Sequence, residues 1–88
     1  MDLRTWRTEN GLTMSEAATL LSIESARTYQ RYETGENRPD APLVERIRSV
    51  SGGLVMAEDL HRQRLEWLKS NKPETVANLI DMVAEAAE

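Results

Sequence analysis

Helix-ending residues divide this chain into short segments, and their spacing leaves little choice of fold. Asn10-Gly11, Gly35 and Gly52-Gly53 each follow a helix-like stretch, and glycine readily takes the left-handed conformation found at helix ends. Asp2 is a suitable cap for the first of these segments, over about residues 3–10. No segment shows the polar and apolar alternation of a strand. We therefore predict an all-α protein, a compact bundle of five helices.

The second and third segments are joined by a tight turn. Thr13 followed by Glu16 has the spacing of a capping box, which opens a helix of about two turns. Residues 22–24 are too few for anything but a turn, and Ser25 then caps a third helix that ends at Gly35. Two short helices joined in this way have the outline of a helix-turn-helix unit.

The rest of the chain continues the helical pattern. Asp40 is expected to cap a fourth helix that has Pro42 in its first turn, and a fifth helix spans about residues 57–70. Residues 74–88 form either a sixth amphipathic helix or a frayed tail.

His61 is expected to be partly buried on a helix face. Trp6 and Trp67 are expected to pack in a core or interface. The predicted core includes Ala18, Leu21, Ile23, Tyr29, Tyr32, Leu43, Ile47 and Val50.

Size and composition are those of one small globular domain. With 88 residues, 40% hydrophobic and 30% charged, the chain has room for a single modest core and is too apolar to be wholly disordered. It has no cysteine, which excludes disulfides and thiolate metal sites and fits a cytoplasmic protein. We expect neither a secretion signal nor a membrane span, because no apolar run approaches about twenty residues.

Charge is unevenly distributed along the chain. The formal net charge of −4 argues at first against a nucleic-acid partner, because such partners usually bind basic domains. Residues 1–50, however, hold seven arginines against eight acids, whereas residues 51–88 hold four bases against seven acids. The acidic excess lies mainly in the second part. A local basic face in the first part is therefore compatible with DNA.

The third predicted helix has two faces of different character. Tyr29 and Tyr32, three residues apart, are expected to pack it onto its neighbours. The opposite face carries Ala26, Arg27, Gln30 and Arg31, with Thr28 near its N-terminal edge. Arg pairs with guanine, Gln with adenine, and a Thr or Ala methyl group with thymine, so this face is a candidate for reading bases. The alternative is an ordinary solvated face.

Residues 13–39 resemble the Cro and phage-repressor family of XRE-like helix-turn-helix regulators, and the resemblance extends over about residues 3–60. The matching residues are Ala18, Ile23, Ser25, Thr28, Tyr29, Arg31, Tyr32, Glu33, Gly35 and Pro39. The chain departs from the family pattern at three positions. Ser22 stands where Gly is usual, Glu24 lengthens the turn by one residue, and Met14 replaces a residue that is usually polar.

The resemblance implies a regulator whose third helix enters the major groove of double-stranded DNA. The loop after that helix faces the duplex backbone in this fold, so Arg38 and Asn37 are expected to contact phosphates. Ser15, at the start of the second helix, is expected to do the same. The predicted DNA-binding residues are Ser15, Ser25, Ala26, Arg27, Thr28, Gln30, Arg31, Asn37 and Arg38.

The predicted organisation is a DNA-binding domain over residues 1–56 followed by a C-terminal helical extension over residues 57–88. We expect the extension to form a homodimer, because a small core gains stability from association and two short recognition helices bind more tightly than one. The apolar residues expected at this contact are Leu60, Leu65, Trp67, Leu68, Leu79, Ile80 and Val83.

Two functions stay open at this point. The first is a sequence-specific transcriptional regulator, expected to be a repressor. The second is a protein-binding module, such as an antitoxin or anti-repressor, that uses the acidic C-terminal helices. An enzyme is disfavoured because the chain shows no nucleophile–base pair and no Gly-rich phosphate loop, and His61 has no metal-ligand spacing around it. We expect no cofactor and no metal.

Overall fold

The structure, a computed structural model, describes residues 1–76. The helices of this part of the chain are α1 (Leu3–Glu9), α2 (Met14–Leu20), α3 (Ala26–Thr34), α4 (Ala41–Val50) and α5 (Ala57–Asn71). Residues 73–76 are also helical, and no residue from 1 to 76 lies in a strand. The predicted all-α fold is confirmed. Most of the predicted sixth segment, over residues 74–88, lies outside the described residues.

Side-chain caps begin four of the five helices, as the sequence predicts. Asp2, Ser25 and Asp40 each accept a hydrogen bond from the backbone N–H three residues further on. Thr13 and Glu16 form a reciprocal capping box at the start of α2. Hydrogen bonds from Thr5 to Asp2, and from Thr13 to Glu16, also hold the pKa values of these two carboxyl groups below their usual range, because they stabilise the charged form.

Helix α2 ends in a Schellman motif, which sets the direction of the turn before α3. The Ser22 N–H donates to the Thr19 carbonyl at 3.2 Å, and the Ile23 N–H donates to the Ala18 carbonyl at 2.8 Å. Ser22 therefore takes a left-handed conformation, with φ of +56°. Among residues 1–76 it is the only non-glycine with a positive φ, and α1 and α4 end in the same way on Gly11 and Gly52.

The hydrophobic core lies where the five helices meet. Ala18, Leu21, Tyr29, Leu43 and Ile47 are buried as predicted, and Trp6 packs in the core as well. Partly buried side chains surround the core, among them Ile23 and Tyr32. The complete set of buried apolar residues is Leu3, Trp6, Ala17, Ala18, Leu21, Tyr29, Leu43, Ile47, Val55 and Leu60.

Two burial predictions are wrong. Val50 is 41% exposed, because it lies in the last turn of α4 and the core beyond Ile47 is filled by the fully buried Val55. The Ser51 hydroxyl accepts a hydrogen bond from the Val55 N–H at 3.0 Å, which stabilises the turn after α4 that leads to Val55. His61 is exposed rather than partly buried, because it lies at the edge of an open groove between α4 and α5.

A bidentate ion pair joins α1 to the inner side of α3. The Arg7 guanidinium donates from Nε and Nη2 to the two carboxylate oxygens of Glu33, at 2.8 and 3.2 Å. Its Nη1 also donates to the Leu12 carbonyl at 3.0 Å, in the connection between α1 and α2. Both ionic side chains are mostly shielded from solvent, so the pair is positioned to fix α3 relative to the start of the chain.

Candidate nucleic-acid interface

Within residues 1–76, helix α3 packs against its neighbours through one side, and its other side is not covered. Tyr29 is fully buried, whereas Arg27 and Gln30 are exposed and Arg31 is half-buried. Burial raises the pKa of the Tyr29 phenol, and the neighbouring Glu33 carboxylate acts in the same direction. The Tyr29 hydroxyl is buried without a hydrogen-bond partner among the described residues. The predicted division of α3 into a core face and a free face is thus present in the structure.

The free face of α3 forms one side of a shallow hollow against the start of α2. We call this surface the α3 face; it consists of Met14, Ala26, Arg27, Gln30, Arg31, Thr34 and Glu36. Within residues 1–76, the ion pairs involve other cations, and neither Arg27 nor Arg31 has a carboxylate within 4.0 Å. Their guanidinium groups are therefore available to an external acceptor such as a base edge or a phosphate.

Ser25 and Thr28 lie apart from the α3 face, at the N-terminal end of the helix. The Ser25 hydroxyl accepts the Thr28 N–H at 3.1 Å and donates to the Thr28 hydroxyl at 3.0 Å. The Thr28 hydroxyl in turn donates to the Glu24 carboxylate at 3.4 Å. Thr28 borders a second hollow that α3 shares with α4. Both hydroxyls thus already have hydrogen-bond partners within the protein, and that of Ser25 caps the helix.

The three predicted phosphate contacts lie outside the α3 face, and Arg38 lines the groove between α4 and α5 instead. Ser15 is exposed in the first turn of α2, and Arg38 is exposed in the connection between α3 and α4. Asn37 is half-buried, and its backbone N–H donates to the Arg31 carbonyl at 3.1 Å. Arg38 has no ion-pair partner among the described residues. Its charge is therefore exposed at the edge of the groove between α4 and α5.

Sequence reasoning missed two acidic residues at this surface. Glu36 lies on the α3 face beside Arg27 and Arg31, and Glu24 lies at the N-terminal end of α3. Each would repel a phosphate that came close to it. Glu24 could have been found from the sequence, because it is the residue that lengthens the turn before α3. The position of Glu36 could not, because it depends on the direction of the backbone after α3 ends. These carboxylates restrict where a polyanion can approach.

The residues predicted for a dimer contact are divided between the core and an open groove. Leu60 is only 4% exposed and packs in the core of the protomer, and it also lines the groove between α4 and α5. Leu65 and Leu68 line a largely apolar groove between α4 and α5, together with Val44 and Ala57. Trp67 is half-buried, with the Arg64 guanidinium 5.2 Å from the centre of its ring. Leu79, Ile80 and Val83 lie outside the described residues.

Residues 1–76 contain neither a candidate metal site nor a candidate membrane span. Their side chains form no group of three or more His, Asp or Glu residues that could hold a metal ion. None of the helices in this range is both long and apolar enough to cross a membrane.

These features define a helix-turn-helix unit: α2 and α3 cross at a tight turn, and α3 presents a free polar face. Comparison with known families agrees with this description. A family model described as a helix-turn-helix domain matches residues 2–52, which is more than half of the chain. The chain therefore belongs to this helix-turn-helix domain family, which is associated with XRE-like DNA-binding regulators. No curated protein and no solved structure gives a significant match.

Proposed function

We propose that this protein is a sequence-specific transcriptional repressor that binds double-stranded DNA as a homodimer, with residues 25–34 in the major groove. The observation that carries the proposal is the α3 face, where Arg27, Gln30 and Arg31 are free while Tyr29 fixes the helix from behind. An α-helix fits the major groove, and these side chains match the donors and acceptors of guanine and adenine. The family of the chain supports the coarser part of the proposal, a DNA-binding regulator.

The proposed contacts fall into two groups, one to the bases of the duplex and one to its phosphates. Arg27, Gln30 and Arg31 are proposed to read bases, with Ala26 and Thr28 offering methyl groups and Ser25 holding the start of the helix. Ser15, Asn37 and Arg38 are proposed to contact phosphates, which positions the helix without reading sequence. Glu24 and Glu36 would exclude phosphates from the places they occupy and so favour one orientation of the duplex.

Repression needs nothing beyond occupancy of the site. A protein seated in the major groove excludes other proteins from the same stretch of DNA. The groove between α4 and α5 supports the homodimer, because Val44, Leu65 and Leu68 form apolar surface that no other residue from 1 to 76 covers. A two-fold dimer would place two copies of α3 about 34–36 Å apart along the duplex.

The proposed base-reading role is tested by comparing Arg27→Ala with Arg38→Ala on a duplex that the wild-type protein selects from a random-sequence pool. Loss of Arg27 is expected to weaken binding by about 1–3 kcal/mol and to relax base preference at one position. Loss of Arg38 is expected to weaken all duplexes alike and to reduce the salt slope by about one. Arg48→Ala, which removes an exposed charge on α4, is the matched control. Unchanged binding by Arg27→Ala would refute the base-reading role.

The homodimer is tested by sedimentation of the intact chain at micromolar concentration. We expect a species of about twice the chain mass of 10.0 kDa, and we expect Leu68→Glu to shift it towards the monomer. Removal of residues 73–88 tests the C-terminal segment alone. Truncation after Ser51 would not be informative, because it would also remove Val55 and Leu60 from the core. A clean 10.0 kDa species for the intact chain would refute the dimer.

The same groove favours a second candidate function. If its apolar residues were covered by a different protein, the chain would act as a protein-binding module, such as an antitoxin or an anti-repressor. The two candidates differ in a simple observation. A repressor binds its duplex without any other protein, whereas a chain that remains monomeric and binds no duplex would support the protein-binding module.

A further inference from the structure

Helix α5 lies outside the residues that match the helix-turn-helix family, yet it contacts the end of the proposed recognition helix directly. The match ends at Gly52, and α5 begins at Ala57. The Gln63 side chain donates from Nε2 to the carbonyls of Tyr32 and Glu33, at 3.1 and 3.3 Å. These carbonyls belong to the last turn of α3, where they have no partner within the helix itself. An α5 side chain therefore caps the C-terminal end of α3.

Arg64, the next residue of α5, bonds to the chain just beyond α3. Its Nη1 donates to the Gly35 carbonyl at 3.0 Å and to the Glu36 carbonyl at 2.6 Å. The same guanidinium lies over the Trp67 ring, 5.2 Å from its centre, so its position is fixed from two sides. Glu36 is two residues before Arg38, the proposed phosphate contact. Arg64 thus donates hydrogen bonds to the carbonyls of the two residues before Asn37, which lead into the loop that carries Arg38.

The backbones of α3 and α5 approach each other too closely at this point for any side chain on residue 35. Gly35 is buried, and a β-carbon there would overlap the Gln63 carbonyl. Gly35 also has a φ of +90°, which glycine adopts at little cost. The contact between the two helices is therefore backbone to backbone, with little room for adjustment.

Gln63 connects this contact to the start of the chain as well. Its Oε1 accepts the Leu3 N–H at 2.8 Å, while its Nε2 donates to α3. One side chain of α5 therefore bonds to the first residue of α1 and to the last turn of α3. Together with Arg64, it makes α5 a clamp on the C-terminal end of the recognition helix.

We propose that Arg64 is a positioning residue for DNA binding: through its bonds to Gly35 and Glu36, it orients the loop that carries Arg38 towards the phosphates. This inference rests on the proposed function, since it assumes that Arg38 contacts the duplex. It assigns to α5 a role within each protomer. Because Arg38 and Arg64 also line the groove proposed for the homodimer, the sedimentation of each variant is measured beside its binding, and a loss of affinity that accompanies dissociation of the dimer would overturn the positioning role. Arg64 acts through Arg38 and need not touch the DNA itself.

A double-mutant cycle on Arg38 and Arg64 tests the proposal, with the duplex that wild-type protein selects from a random-sequence pool as the probe. Arg64→Ala is expected to weaken binding about 2- to 30-fold. In the Arg38→Ala background, the same change is expected to have little further effect, because the contact it positions is already lost. Arg64→Lys, which keeps the charge and offers the three N–H donors of a single nitrogen, is expected to restore part of the affinity.

Two control variants separate positioning from charge and from stability. Lys69→Ala removes an exposed positive charge from the same helix without touching α3, and its affinity is expected to stay close to that of wild type. Asp2→Ala removes the cap of α1 and lowers the melting temperature, but at a temperature where the variant is fully folded it is expected to bind as wild type does.

The outcomes distinguish this inference from the proposed function. Additive losses for Arg38→Ala and Arg64→Ala would overturn the positioning role and make Arg64 a separate contact. An Arg64→Ala variant that binds as tightly as wild type would also overturn it. A wild-type protein that selects no duplex from the pool would overturn the proposed function and the inference with it. Loss with Arg64→Ala, partial rescue by Arg64→Lys and a non-additive cycle together would support the inference.

Discussion

Replacement of Ser22 by glycine is expected to stabilise the protein. Ser22 has a φ of +56°, a conformation that costs a residue with a β-carbon about 1–2 kcal/mol. Glycine avoids this cost but loses more backbone freedom on folding, about 0.4–1 kcal/mol. The Ser22 side chain is exposed, so little packing is lost. The expected net gain is roughly 0.5–1 kcal/mol, and each kcal/mol raises the melting temperature by about 4–8 °C in a domain of this size.

The assay is urea unfolding followed by circular dichroism, with two matched variants. Ser22→Ala keeps a β-carbon in the left-handed conformation and is expected to gain nothing. Ser49→Gly places a glycine at an exposed right-handed position of α4 and is expected to lose about 0.5–1 kcal/mol. A Ser22→Gly variant less stable than wild type would refute the reasoning. An equal gain from Ser49→Gly would show that backbone conformation is not the cause.

Three further perturbations are expected to change the free energy of unfolding, each measured by the same denaturation. Gly35→Ala should cost more than about 2 kcal/mol, because it combines a left-handed conformation with an overlap against the Gln63 carbonyl; a smaller loss would mean that α5 moves away easily. Tyr29→Phe should be neutral or stabilising by up to about 1 kcal/mol, because it removes a buried hydroxyl without a partner; a clear loss would reveal a hydrogen bond in solution. The lowered pKa values of Asp2 and Glu16 contribute stability that is present above the ordinary carboxyl pKa of about 4 and is lost as the pH falls from there through the lowered pKa values, so stability should decline below about pH 4 and less steeply in Asp2→Asn.

Helix starts could be predicted because their causes are local. The caps at Asp2, Thr13, Ser25 and Asp40 each bond to a backbone group three residues away, so a short stretch of sequence contains both partners. The same holds for the free face of α3, since the spacing of Tyr29 and Tyr32 decides which side turns inward. The helix-turn-helix unit follows from these local patterns.

Contacts between distant segments could not be predicted in this way. Arg7 and Glu33 are separated by 26 positions, and Arg64 and Gly35 by 29. No periodicity within one helix indicates such a pair. Val50 had the correct helical spacing for burial but lies beyond the edge of the core, where Val55 takes the available space. The sequence showed that Ser22 stands where the family usually has glycine, but the left-handed conformation of Ser22 depends on where α2 ends.

Site-directed cleavage of DNA tests most directly whether the α3 face lies against the major groove. The chain has no cysteine, so one introduced cysteine can carry an iron–EDTA group at a chosen position. Thr34→Cys places the group on the α3 face, and Ser70→Cys places it on an exposed position of α5. Cleavage of the selected duplex from position 34, in two clusters about 34–36 Å apart, with little cleavage from position 70, is the result we expect. Bound protein that cleaves equally from both positions, or not at all from position 34, would contradict the proposed orientation.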